Sequence, residues 1–240
     1  MTFPNLQSSI NVGSTLLPNR MVMGAMHTRL ETLDHPHERL AAFYARRAAG
    51  EIGLILTGGY SPTPEGVMEE GGPLLNSENQ LDEHRLITSE VHKAGGRIVL
   101  QILHAGRYAK VSSCVAPSSD KARINVFPPR PLDTAEVWGV VDSFVNTSVL
   151  AKEAGYHGVE IMGSEGYLLN EFTASTTNKR GDEFGGSYEN RIRLSLEIIK
   201  AVRKNLGQDF MIIYRISAID LIDDGMTRNE IAELKRLVRI

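Results

Sequence analysis

The chain has 240 residues, 42% hydrophobic and 23% charged, the balance of a globular domain rather than of a disordered or membrane-embedded chain. Its 26 basic and 29 acidic residues leave a formal charge of −3, which gives no electrostatic footprint for nucleic acid. The single cysteine, Cys114, excludes an internal disulfide framework and a cysteine-built metal site within this chain, and "MTFPNLQSSINVGSTLLPNR" has no basic start followed by an apolar leader core. The expectation is a cytoplasmic protein with no membrane, nucleic-acid or metal partner in this segment.

Along the chain, short β-like runs alternate with helical patterns. Arg20–Met26 reads as the first strand, and Glu38–Gly50 as a helix closed by glycine. Ile52–Gly59 is the second strand, Asn79–Gly96 the next helix, and Arg97–His104 a third strand apolar enough to be covered on both faces. From Asp133 to Gly155, residues Val137, Val140, Val141, Phe144, Val145 and Ala151 recur at helical spacing and form one core-facing stripe. Gly158–Met162 follows as a strand, Glu189–Gly207 as a helix and Asp209–Ser217 as the fifth strand. "TRNE" at Thr227–Glu230 is a capping box opening a last helix that is expected to run to Ile240.

Five βα units with no linker predict one α/β domain, either a doubly wound sheet or a (β/α)₈ barrel. The loops after the first four strands are long and polar while the returns are short, which favours a barrel with its site at the C-terminal face. Such a barrel takes about 250 residues. Five units use up this length, so residues 1–240 are expected to be the N-terminal part of an incomplete TIM barrel.

Several polar groups stand out against this frame. Gln101 shares a strand face with Val99 and Leu103, and Arg215 with Met211 and Ile213, so each polar group needs a partner inside the barrel. For Arg215 one such partner is Glu160 on the fourth strand. Gly58 and Gly59 end the second strand and allow either a tight turn or close approach of a flat ring. "MGSEGYLLNEF" (Met162–Phe172) places a tyrosine and two carboxylates where the fourth strand gives way to a long loop.

The segments "NRMVMGAMHT", "LTGG", "LQILHAGRY", "AGYHGVEIMGSEGYLLNEFTASTTNKRGDEFGGSYENRIR" and "IIYRIS", in this order over essentially the whole chain, resemble the old yellow enzyme family of FMN-dependent ene-reductases. "MGAMHT" and "MGSEGYLLNEF" are most similar to its bacterial 2,4-dienoyl-CoA reductase (NADPH) branch. The resemblance implies reduction of an activated C=C bond in an acyl-CoA or enone, with NADPH as electron donor. For the dienoyl-CoA branch it implies a role in the β-oxidation of unsaturated fatty acids, with FAD and a 4Fe–4S cluster held beyond this segment. It makes Tyr167 the proton donor, a role open to a phenol whose ordinary pKa is ~10. It assigns Ala25, Met26, His27, Gly59, Gln101 and Arg215 to FMN, and Thr177, Asn178, Lys179 and Arg180 to substrate, with Lys179 and Arg180 facing CoA phosphates. His104 and Arg107 either position substrate or stabilise their loop. Many relatives carry a His-x-x-His or His-x-x-Asn pair where this chain has Met162 and Glu165. Neither replacement donates a hydrogen bond to a small enone carbonyl, which favours a thioester substrate. The alternatives are a stand-alone NAD(P)H-dependent enone reductase and a non-catalytic fragment with a structural or interaction role.

Overall fold

The structure, a computed structural model, describes residues 3–239. A short helix α1 (Pro4–Gln7) leads into an antiparallel hairpin, β1 (Ile10–Val12) and β2 (Thr15–Leu17). Then come β3 (Val22–Met23), α2 (Pro36–Ala49), β4 (Leu54–Tyr60), α3 (Leu81–Lys93) and β5 (Ile98–Ile102). A two-residue pair, β6 (Val115–Ala116) and β7 (Arg130–Pro131), lies within the next loop, before α4 (Thr134–Glu153) and β8 (Gly158–Gly163). The rest is α5 (Leu168–Thr173), α6 (Tyr188–Arg191), α7 (Arg193–Leu206), β9 (Met211–Ile216) and α8 (Arg228–Leu237).

Strands β3, β4, β5, β8 and β9 form one five-stranded sheet in that order, every pair parallel. Alternate residues face opposite ways, and both sets find apolar cover. Ile55, Ile98, Leu100, Ile102, Val159 and Ile161 pack outward under α2, α3, α4 and α7. Leu54, Leu56, Val99 and Met211 point inward and meet Leu17, Ile10 and Val12 of the hairpin, which closes the N-terminal end of the interior. Each large aliphatic side chain buried in these two layers contributes about 1.5–3 kcal/mol. The result is the curled sheet of an incomplete (β/α)₈ barrel with five βα units, as the sequence predicts.

The firmly periodic helix α4 starts at an Asp133 cap, which accepts from the Glu136 amide at 2.8 Å. Helix α8 starts at the Thr227–Glu230 box and ends at Leu237, and Ile240 lies outside the described residues. The first strand is shorter than its apolar run, because only Val22 and Met23 pair with β4 and residues 24–28 continue as irregular backbone. No helix among the described residues is long and apolar enough to cross a membrane.

The loop between α5 and α6 is held by two of the residues assigned to substrate from the sequence. Asn178 Nδ2 donates to the carbonyls of Phe172 and Phe184, at 2.7 Å each, and is buried. The Arg180 guanidinium pairs with Asp182, donates to the carbonyls of Leu132 and Pro117, and is 8% exposed. Both groups are consumed by the scaffold, so the expectation that Arg180 meets a CoA phosphate gives way to a structural role. Arg180 holds the Asp182 carboxyl down to about 2. Its depressed folded-state pKa means that the pair's stabilisation is complete above pH ~4 and lost as pH falls through about 2. Arg180→Ala should lower unfolding free energy by about 2–3 kcal/mol in urea titrations at neutral pH, and by much less at pH 2.

Candidate functional site

Toward the C-terminal ends of the strands, the inner face changes from apolar to polar. On β5, Val99 is followed two residues later by Gln101, and on β9 Ile213 by Arg215. Glu160 on β8 is the register partner of Gln101. Gln101 Nε2 donates to Glu160 Oε1 at 2.6 Å, with both residues almost fully buried. Burial pushes the Glu160 carboxyl up, and the Gln101 hydrogen bond and nearby Arg215 pull the other way. The donor is spent on Glu160, so Gln101 turns its carbonyl oxygen elsewhere. Among the described residues that oxygen accepts no hydrogen bond from protein.

Between β4 and β5 the register slips, from Leu56 opposite Val99 to Gly59 opposite Gln101. The extra residue is absorbed at Thr57 and Gly58. Thr57 Oγ1 accepts from the Gln101 amide at 3.0 Å, and the Tyr44 hydroxyl accepts from Gly58 N at 3.1 Å. The bulge re-aims Gly59 inward beside Gln101. A Cβ on Gly59 would lie 2.7 Å from Leu103 Cβ and 3.0 Å from Gln101 Oε1, so only glycine fits.

Arg215 does not pair with Glu160. Its Nη2 donates to Glu165 Oε1 at 2.7 Å, in a half-exposed ion pair bridging β9 and the turn after β8. Glu165 (φ 64°) and Gly166 (φ 80°) are both left-handed, which bends the chain sharply between β8 and α5. The turn is tied down where the Leu168 amide meets the His104 carbonyl at 3.1 Å. It delivers Tyr167, half-buried, against an apolar cluster that includes Val67, Leu103, Ala105 and Met162. Tyr108 stands edge-on to Tyr167 at 6.1 Å between centroids, and a Cβ on Gly166 would strike its ring. No protein group among the described residues hydrogen-bonds the Tyr167 hydroxyl. Desolvation, then Glu165 and Tyr108, push that phenol above its ordinary range.

Met162 is buried, with its sulfur 3.8 Å from Gln101 Nε2 and 3.6 Å from Ser164 Oγ. Ala25 packs on the inner apolar layer, while Met26 is 50% exposed. His27 is exposed and lines a separate cavity of about 190 Å³ with Arg29, Glu31 and Met68. Thr177 is buried and its hydroxyl donates to the Glu171 carbonyl at 2.7 Å, and exposed Lys179 donates to the Ser175 carbonyl. Buried His104 accepts from the Gly106 amide at 3.1 Å, and desolvation lowers its pKa to about 4, which leaves it a neutral fixture of its loop. Glu171, fully buried, accepts from the Arg107 amide at 2.9 Å, and burial pushes its carboxyl well above the carboxylate range.

The mouth thus combines a glycine with no room for a side chain, an unpaired amide oxygen, a cation with capacity to spare and an apolar wall. These residues fit a flat heterocycle with alternating donors and acceptors, as an FMN ring is.

The family model for the NADH:flavin oxidoreductase / NADH oxidase family matches residues 5–239. The NADH oxidase of Thermoanaerobacter brockii is 33% identical over 98% of the chain. Among solved structures, a 2-naphthoyl-CoA reductase with 2-naphthoyl-CoA superposes at a TM-score of 0.92, with 27% identity over 98% of the chain. The old yellow enzyme homologue from Zymomonas mobilis superposes at 0.84, with 29% identity over 99% of the chain and 72% of its own. The chain spans 37% of the T. brockii protein and 39% of the naphthoyl-CoA reductase. On sequence over nearly its full length and on the architecture of its sheet, the chain belongs to the NADH:flavin oxidoreductase / NADH oxidase family, that of the old yellow enzyme homologues.

Proposed function

We propose that the whole protein reduces an electron-poor C=C bond in a conjugated acyl-CoA thioester, as a 2,4-dienoyl-CoA reductase serving the oxidation of unsaturated fatty acids. The observation that carries this reading is the Tyr167 hydroxyl, which has no hydrogen-bond partner among the described residues and lies on the apolar wall beside the polar mouth. Bound FMN would supply the hydride. Gly59 would admit its ring, the Gln101 carbonyl would accept from it, and Arg215 would stabilise negative charge on it. NADPH is the proposed electron source, through FAD and a 4Fe–4S cluster outside residues 1–240. Similarity to a 2-naphthoyl-CoA reductase supports a thioester. So does Met162, whose buried thioether cannot donate to an enone carbonyl.

Tyr167 performs the acid step. Its phenol stays protonated through the neutral range because burial and the Glu165 charge both disfavour the phenolate. It passes its proton to the carbon left basic once hydride has been delivered to the other end of the alkene. Glu165 is engaged by Arg215, so its charge is partly neutralised at the turn that carries Tyr167.

Tyr167→Phe should cut alkene reduction by about 10²–10⁴-fold while flavin reduction by NADPH continues, read separately by stopped-flow. Equal loss of both half-reactions would make Tyr167 structural. In the wild type, the alkene half-reaction should show no loss of rate as pH rises through the ordinary phenol value of ~10, because the acid form is lost only at a raised pKa.

Arg215→Met should weaken FMN retention and lower the flavin's reduction potential. The Glu165 pair it breaks is half-exposed, so little stability is lost and the effect reports on the cofactor. Gln101→Leu should also weaken FMN retention, but with a stability loss, because it strips buried Glu160 of its donor. Unchanged flavin content and potential in both variants would remove these residues from the cofactor site.

A further inference from the structure

A second polar surface begins where the tyrosine pair ends. Tyr108, edge-on to Tyr167, also lines a cavity of about 320 Å³ with Arg107, Gly166, Glu171 and Thr177. That cavity shares Arg107, Tyr108, Thr177 and Ile222 with a larger groove of about 600 Å³. The groove carries three cations, Arg107, Lys121 and Arg123, and a strip of exposed apolar side chains. Ile124 is 77% exposed, Leu221 83% and Ile222 53%, a cost in water unless something covers them.

The cations are unspent. Arg180, Arg191 and Arg215 are each held by a carboxylate, whereas none of the three groove cations forms an ion pair among the described residues. Asp120 and Asp223 lie on the same walls, without closing on any of them. Arg107 Nε is buried with no hydrogen-bond partner, and its Nη1 reaches only the Asp120 carbonyl, at 3.5 Å. The loop bearing Lys121 and Arg123 is pinned in place. Asn125 Nδ2 donates to the carbonyls of Arg107 and Ala109, at 2.7 Å each, and holds residues 121–126 against the 105–109 turn.

We propose that this groove, bounded by Arg107, Lys121, Arg123, Ile124, Leu221 and Ile222, binds the phosphorylated nucleotide tail of a CoA-type thioester whose acyl end lies at Tyr167. This rests on the reading of the Tyr167 site as a thioester reductase. Cations without carboxylate partners suit phosphates, the aliphatic strip suits the uncharged arm and base, and the shared wall at Tyr108 joins groove to reaction site. Lys179 and Arg180, assigned to the phosphates from sequence, are turned to a backbone carbonyl and to Asp182 instead.

The test is calorimetric titration of the full chain at low salt with three probes: desulfo-CoA, phosphate-free pantetheine and NADP⁺. Lys121→Glu/Arg123→Glu should raise the Kd for desulfo-CoA by about tenfold or more, and that for pantetheine by less than about twofold. The neutral pair Lys121→Gln/Arg123→Gln should show a smaller loss with the same preference, which keeps the test alive if charge reversal disturbs folding. Arg39→Glu/Arg46→Glu, the same charge change at two exposed positions of α2, should leave desulfo-CoA within about twofold. An unchanged desulfo-CoA Kd in both groove variants would overturn the proposal. So would equal weakening of NADP⁺, which would give the groove to the nicotinamide donor. If desulfo-CoA behaves as expected but no dienoyl thioester is reduced, the groove stands and the dienoyl reading falls.

Discussion

The interior of this barrel can be polar at one end only because Gln101 and Glu160 satisfy each other. A buried carboxylate with no donor is among the costliest groups a fold can hold. Here the amide of the adjacent strand meets it at 2.6 Å, across a register that places the two residues side by side. The bond settles which end of the amide faces the mouth. Arg215 reaches outward to Glu165, which the turn after β8 brings to it. The Gln101–Glu160 bond thereby fixes an acceptor at the floor of the site, and the Arg215–Glu165 pair ties a cation to the turn bearing Tyr167 at its rim.

The β4 bulge and the turn after β8 work to the same end. Both spend backbone irregularity to aim a residue that ideal geometry would point elsewhere. The slip at Thr57 and Gly58 turns a glycine to the interior, and successive left-handed residues at 165 and 166 lift a tyrosine over the mouth. Left-handed backbone at Glu165, a non-glycine, costs about 1–2 kcal/mol, and the Ser217 hydroxyl, accepting from the Glu165 amide at 3.1 Å, helps to hold it. Strain of this kind collects at sites that act on a ligand.

Much of this was legible in the sequence because it follows from periodicity. The five strands, their parallel order and the inward placement of Gln101 and Arg215 follow from alternation and from helix-length spacers. The N-terminal hairpin escaped notice because three-residue strands carry no readable alternation. Partner choice was illegible for a different reason. Glu160 and Glu165 lie five positions apart, and only the turn geometry decides that Arg215 takes the second. Arg180 looked available because Arg-rich loops are usually solvated. Its capture by Asp182 and two distant carbonyls depends on contacts 48 and 63 residues away, which no local pattern encodes. The sequence singles out Arg107 but not Lys121 or Arg123 beside it, since the Asn125 clamp that brings the two loops together joins residues 16 and 18 positions apart.

The central claim is that this mouth places a hydride donor on one side of an alkene and the Tyr167 phenol on the other. It is tested most directly by reducing a conjugated dienoyl thioester with unlabelled NADPH in D₂O and locating deuterium in the product by NMR. Because an iron–sulfur relay passes electrons and no hydrogen, the account predicts solvent-derived deuterium at both carbons of the reduced bond, added to opposite faces. Addition of both deuteriums to the same face, or with no facial preference, would contradict it.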